Sequence, residues 1–210
     1  MDNLLSVSPD PDVNRLVERT GYAAAALTLL PIPGSEVIGV MPLHVGMVLG
    51  IGHRHGRELT REAATELLLQ IGTTVGASLL GSRIATTAAK FVLPGLGGVL
   101  AAPFMFASTL AIGAVADAWF RNGGSVSDSE LKDLYDRTVK RAKSGFDPGR
   151  ARDPEARRAA EVATSEGQGT SAGRDERPME RLRKAKQMLE EGLIDEAEFA
   201  EVKRRVLSEI

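Results

Sequence analysis

Apolar residues in the first 120 positions recur at helical spacing, and proline or glycine separates the apolar runs. Proline removes a backbone donor and glycine permits a sharp turn, so these positions should end helices. The breakers are Pro31-Ile-Pro-Gly34, Gly56, Pro94-Gly-Leu-Gly-Gly98 and Gly123-Gly124. The pattern predicts helices over about 11–30, 35–55, 60–90 and 99–120. Asp10 and Ser35 stand where N-caps belong, and Pro42 should kink the second helix.

A fifth helix is indicated by Ser127 and Glu130, which have the spacing of a capping box. Its apolar stripe predicts docking on the preceding helices. The stripe contains Leu131, Leu134, Tyr135, Thr138 and Ala142. The stretch 145–177 is rich in Gly, Ser, Thr, Glu and Arg, which predicts a flexible tether in which 154–163 forms helix only transiently.

The last segment again contains residues that end and cap helices. Gly192 ends one amphipathic stretch, and Asp195 with Glu198 forms a second capping box. Two helices of about 10–14 residues are marginal alone, so this hairpin should need a partner or its own oligomer. The residues expected to form its contact face are Leu182, Leu189, Ile194, Phe199, Val202 and Val206.

The sequence therefore predicts an all-α protein in three parts. An apolar bundle of about four to five helices, containing helical hairpins and the docking helix, spans 1–144. A flexible linker spans 145–177, and a small two-helix hairpin spans 178–210.

Composition excludes several classes of function. The net charge is −2 and aromatic residues make up 4%, which argues against nucleic-acid binding. The chain contains 0 cysteines, which excludes disulfides and thiolate chemistry. The N-terminus lacks the pattern of a secretory signal, so we expect a protein of the cytoplasm or of the cytoplasmic side of the inner membrane.

Two readings of the apolar segments remain open. The stretch 91–116 has no charged residue and could cross a hydrocarbon layer about 30 Å thick. The small-residue pairs Gly46/Gly50 and Gly72/Gly76 permit close helix packing. Against spanning, the runs are rich in Ala and Gly and are interrupted by charged residues and proline. The alternative is a compact soluble bundle of nearly fully buried helices.

No catalytic constellation is recognisable, and we expect neither enzyme activity nor a metal or cofactor. The run from Gly76 to Ser82 resembles a phosphate-binding loop but lacks its lysine and a preceding strand. His53 and His55 with Glu58 form too small a set for a metal site. Glu36 and Asp117 are carboxylates beside apolar runs. A buried pair could form a polar relay, but roles in helix capping or at a lipid or water boundary are favoured.

The stretch from about Gly21 to Ala142 resembles the family called domain of unknown function 697. The resemblance is carried by Leu30-Pro-Ile-Pro-Gly34, His53-Arg-His-Gly56, Lys90-Phe-Val-Leu-Pro-Gly-Leu-Gly97, Thr109-Leu-Ala-Ile-Gly113, Trp119-Phe120 and Ser127-Asp-Ser-Glu-Leu131. That family is often fused to, or encoded beside, Era-like GTPases, and its members include inner-membrane proteins. The resemblance implies a hydrophobic effector or anchor whose GTPase partner acts in trans.

The tail resembles the SHOCT (short C-terminal) domain. The matching residues are Leu182, Lys186, Leu189, Gly192-Leu-Ile194, Glu198-Phe199 and the run from Lys203 to Leu207. Asp195 stands where that family usually has threonine, and either residue can cap a helix. The resemblance implies a bacterial hairpin module that mediates oligomerisation or protein binding.

These observations together favour a non-enzymatic, membrane-associated scaffold whose C-terminal hairpin binds itself or another protein. A soluble regulatory module of a GTPase is the first alternative. A bundle that holds a lipid or another apolar ligand is the second.

Overall fold

The computed structural model describes residues 6–32, 35–79 and 98–173, together with helical residues at 186, 199–200 and 203–204. The described chain is helical and contains no strand, which confirms the all-α prediction. The chain forms two compact units, Met1–Gln168 and Gly169–Ile210.

Most helices begin and end close to the capping and breaking residues of the sequence. They are α1 (Pro11–Leu27), α2 (Ser35–Ile38), α3 (Val40–Arg54), α4 (Arg61–Leu79), α5 (Gly98–Arg121), α6 (Asp128–Ser144), a 3-10 turn (Arg150–Arg152) and α7 (Pro154–Gly173). The predicted third helix is described only as far as Leu79, and the breaker at 94–98 lies largely outside the described residues.

Helix α5 is the centre of the bundle, because α1, α3 and α6 all pack against it. Glycine allows the backbones of α1 and α5 to approach closely. A Cβ atom on Gly113 would lie 2.6 Å from Cγ1 of Val17, and one on Gly21 would lie 2.4 Å from Cδ1 of Leu110. These two contacts show that α1 and α5 run antiparallel.

Local hydrogen bonds explain where the helices begin and end. The Asp10 carboxylate accepts from the Asp12 backbone N–H at 2.8 Å, as predicted for an N-cap. Ser127 and Glu130 form the predicted capping box. Gly56 and Gly123 have φ of 69° and 63°, and each closes its helix in a Schellman arrangement that few other residues tolerate.

The stretch predicted as one helix over 35–55 is two helices separated at Gly39. Pro42 has no backbone N–H, so the carbonyl of Ile38 has no helical donor four residues later. The prediction of Ser35 as the N-cap is wrong. Ser35 lies inside α2, and its buried hydroxyl donates to the carbonyl of Leu27 at 2.8 Å, at the end of α1.

The segment predicted as a flexible tether also differs from expectation, since α7 occupies much of it. One face of the 3-10 turn and of α7 is buried. Its residues are Ala151, Ala156, Ala160, Ala163 and Thr164. The short side chains on this face let α7 pack closely. The prediction of a flexible tether rested on the polar composition of the segment and did not take this alanine face into account. Residues 174–177 lie outside the described chain.

Candidate functional site

Charged side chains tie together α1 and α3 where α1 begins and α3 ends. Arg54 Nη2 lies 3.0 Å from Asp10 Oδ2 and 2.7 Å from Asp12 Oδ2. The pKa of Asp10 is lowered, first because its carboxylate accepts a hydrogen bond from the Asp12 N–H and further by Arg54.

A buried carboxylate joins the ends of α3 and α5 nearby. Asp117 is fully buried, and its Oδ1 lies 2.8 Å from His55 Nε2. Its Oδ2 accepts from Arg121 Nε at 2.8 Å, and the His55 ring stacks on Phe120 at 5.9 Å. Both carboxylate oxygens therefore have partners, as a buried charge requires. The side chain of Glu36, the other half of the suggested polar relay, lies outside the described residues.

A second polar pair lies deeper between the same two helices. His44 Nε2 is 3.0 Å from Thr109 Oγ1, and burial lowers the pKa of His44 to about 4. The imidazole is therefore neutral at pH 7. His44 comes before His55 in the chain, and their partners Thr109 and Asp117 come in the same order along α5. Helices α3 and α5 therefore run parallel.

The histidines considered as metal ligands separate into different pairs. His53 Nδ1 lies 3.1 Å from Glu58 Oε1 on the exposed surface, whereas His55 binds Asp117. No cluster of three or more His, Asp and Glu side chains suited to a metal occurs in the described ranges.

The opposite end of α1 is apolar and partly exposed. Between Arg19 and Arg54 the sequence has a single acidic or basic residue, Glu36, apart from histidine. Ile32 is 38% exposed and Met41 is 37% exposed, and the two flank the short helix α2. The other large apolar side chains that stand exposed in the described chain are Leu69 on α4 and Val162 on α7.

Residues 28–32, which follow α1, form an apolar turn. Leu29 and Leu30 of this turn line a groove with a volume of about 290 Å³. Its apolar wall comes from the end of α1, and its basic wall comes from the 3-10 turn and the start of α7. The lining residues are Ala26, Leu29, Leu30, Ala151, Arg152 and Arg157. Both arginines are exposed, and neither forms an ion pair with any residue that the structure describes.

A second groove, of about 330 Å³, lies beside the middle of α1. Its cations already have carboxylate partners, because Arg19 pairs with Glu155 and Arg150 pairs with Glu18. Arg150 also lies over the ring of Tyr22, 4.2 Å from its centroid. Of these two grooves, only the first is lined by arginines without an ion pair in the described chain.

One helix in the described chain, Ala101–Arg121, is long and apolar enough to cross a membrane. The core helix of a soluble protein passes the same test, and 72% of this stretch is buried inside the bundle. The polar faces of α1 and α6 lie outward around it.

The glycines predicted to support close packing have different surroundings. Gly50 lies against α1, where a Cβ atom would be 2.6 Å from Cδ2 of Leu16. Gly46 and Gly72 have no described neighbour within 4 Å of such an atom, and the surroundings of Gly76 lie outside the description. Tight contacts that the sequence did not predict occur at Gly21, Gly39, Gly113 and Gly167, because closeness depends on which helices meet.

Most residues of the predicted partner-binding face lie outside the described part of the chain. Phe199 is helical and half-buried. Leu182, Leu189, Ile194, Val202 and Val206 lie outside the described residues.

No protein-family model, curated protein or solved structure gives a significant match to this chain.

Proposed function

We propose that this chain is a helical scaffold that binds peripherally to the cytoplasmic face of a membrane and acts by binding rather than by catalysis. The observation that carries the proposal is the apolar turn after α1, where Leu29 and Leu30 line a groove with two arginines and Ile32, two residues further on, stands exposed. Met41 is likewise exposed, near the start of α3. Apolar side chains next to cations are the combination by which peripheral proteins enter the boundary between headgroups and acyl chains.

Peripheral binding suits the bundle better than spanning. Helix α5 is mostly enclosed by other helices, so spanning would require it to leave them and to bring the carboxylate of Asp117 into hydrocarbon without its partner His55. The ion pairs of Arg54 with Asp10 and of Arg121 with Asp117 favour a fixed, water-facing end. The same burial of α5 favours the alternative of a soluble regulatory module if no membrane is bound.

Flotation with lipid vesicles tests the proposal. The full chain should float with vesicles of phosphatidylcholine and phosphatidylglycerol, and Ile32→Asp with Met41→Asp should reduce the bound fraction at least tenfold. The matched control is Leu69→Asp with Val162→Asp, which adds the same charges at apolar positions that are 60% and 58% exposed. Equal loss in both double variants, or no flotation of the wild type, would overturn the proposal.

Extraction of cell membranes separates peripheral from spanning attachment. Washing the pellet with alkaline carbonate should release the protein, because only surface contacts hold it. Retention through carbonate would mean that α5 spans the bilayer after all.

The C-terminal hairpin is the proposed recruiting module of this scaffold, through Leu182, Leu189, Ile194, Phe199, Val202 and Val206. It would bind a second copy or another protein, and a GTPase in trans is the partner that the family resemblance implies. Replacing Leu189 and Phe199 with polar residues should lower assembly measured by light scattering and partner recovery in pull-downs. Unchanged assembly and recovery would remove the hairpin from the proposal.

A further inference from the structure

The groove between the end of α1 and the start of α7 has a chemistry of its own. One wall is aliphatic, from Leu29 and Leu30, and the other is formed by Arg152 and Arg157. Leu29 and Leu30 are half-buried, whereas both arginines are exposed. A ligand that fits this arrangement must have an anionic group joined directly to an apolar one.

Charge distinguishes this groove from the neighbouring groove beside the middle of α1. Arg19 and Arg150, in the neighbouring groove, are neutralised by Glu155 and Glu18. Arg152 and Arg157 have no such carboxylate in the described chain. A guanidinium without a partner binds phosphate oxygens strongly, because its planar donors match the geometry of the anion.

We infer that this groove binds the headgroup phosphate of an anionic phospholipid, held between Arg152 and Arg157. The glycerol and the first acyl carbons lie over Leu29 and Leu30, and Ile32 enters the layer beside them. The groove volume of about 290 Å³ admits a headgroup and a few methylene groups, not a whole lipid. The lipid therefore stays in the bilayer while its phosphate is bound.

This inference rests on the proposed membrane role and adds lipid selectivity to it. Binding by apolar insertion alone depends little on headgroup charge or on salt. Binding through two arginines makes affinity rise with the fraction of anionic lipid and fall as salt increases.

The test compares vesicles of phosphatidylcholine alone with vesicles that contain phosphatidylglycerol. The wild type should prefer the anionic vesicles about 30-fold, the equivalent of about 1 kcal/mol for each cation near an anionic surface. Arg152→Gln with Arg157→Gln should abolish this preference and leave binding to phosphatidylcholine unchanged. Arg137→Gln with Arg141→Gln, at exposed positions on α6, removes the same charge and should preserve the preference.

Two outcomes overturn the inference while the membrane role stands. One is wild-type binding that is equally strong on both vesicles. The other is an anionic preference that both double variants lose equally, because that result would reflect net charge and not this groove.

Titration with dihexanoyl phosphatidylglycerol below its micelle concentration tests the groove without a bilayer. Nuclear magnetic resonance shifts should localise to Leu29 and Leu30 and vanish in the Arg152/Arg157 variant, whereas glycerol phosphate should cause little shift because it lacks acyl carbons. Shifts with this lipid but no vesicle binding would support the groove and overturn the membrane role. Equal shifts with glycerol phosphate would show a simple phosphate site and overturn the assignment to lipid.

Discussion

The imidazole of His55 contacts the fully buried carboxylate of Asp117, with 2.8 Å between Nε2 and Oδ1. The two residues lie 62 positions apart in sequence, and their contact fastens the end of α3 to the end of α5. Arg121 holds the second oxygen from one turn further along α5. Together they fix the polar end of the bundle, from which α1 leads toward the apolar turn.

Asp117→Ala should lower the free energy of unfolding by about 2–3 kcal/mol, because it leaves two cationic or polar partners without their acceptor. Urea denaturation monitored by circular dichroism measures the change. Asp136→Ala breaks a pair with Lys132 that is 40% exposed, and should cost about 0.5 kcal/mol or less. Equal, small losses in both variants would show that the buried cluster contributes little.

Acid should destabilise the protein through His44. Burial holds the pKa of this imidazole at about 4, below the usual 6.5, so the unfolded chain binds a proton first as pH falls. Stability should therefore decline as pH falls from about 6.5 to about 4, by on the order of 3 kcal/mol in total. His44→Gln should flatten this part of the pH profile, whereas His53→Gln, at an exposed position, should leave it intact. A decline that survives His44→Gln would assign it to other groups.

Gly113→Ala should destabilise the crossing of α1 and α5 by about 1–3 kcal/mol, because the new methyl group would overlap buried Val17. Val17→Ala makes room for this methyl group, so the double variant should be more stable than the sum of the two single losses predicts. Gly46→Ala, on the open surface of α3, should instead gain about 0.5–1 kcal/mol. Thermal unfolding provides all four values, and strict additivity of the pair would contradict the packing.

Gly167→Ala should loosen α7. A Cβ atom at this position would lie 2.2 Å from the carbonyl oxygen of Ile38, and backbone cannot move aside as a side chain can. Hydrogen exchange should accelerate across α7 and α2 while the amides of α5 remain protected. Gln168→Ala, at the adjacent exposed position, should leave exchange unchanged. Uniform acceleration throughout the bundle would mean that α7 unfolds together with the rest.

The ends of most helices could be predicted because their causes are local. Asp10, Gly56 and the pair Ser127 and Glu130 act within a few residues of themselves, so sequence spacing is enough to reveal them. The break at Gly39 is also local in origin. The sequence predicts a kink at Pro42, three residues after the observed break. Pro42 lacks the N–H that would bind the carbonyl of Ile38, so its effect appears one turn earlier in the chain.

The candidate site could not be predicted, because it depends on contacts between distant segments. Arg152 and Arg157 look like ordinary charges of a polar stretch until α7 places them beside Leu29 and Leu30. Asp117 stands out in the sequence as a carboxylate beside an apolar run, but the spacing relates His55 to its neighbours His53 and Glu58 and not to Asp117, which is 62 positions away. The predicted packing glycines likewise failed to include Gly113, since small-residue spacing does not tell which helices meet.

The contact between Arg19 and Glu155 joins residues 136 positions apart, and it has a consequence for synthesis on the ribosome. Helix α1 emerges before α2 to α6, whereas the 3-10 turn and α7 emerge after them. Until then the alanine face of α1, from Ala23 to Ala26, lacks part of its cover. The nascent chain must therefore carry an apolar surface while residues 28–149 are synthesised, and chaperones or a nearby bilayer would act on it during that interval.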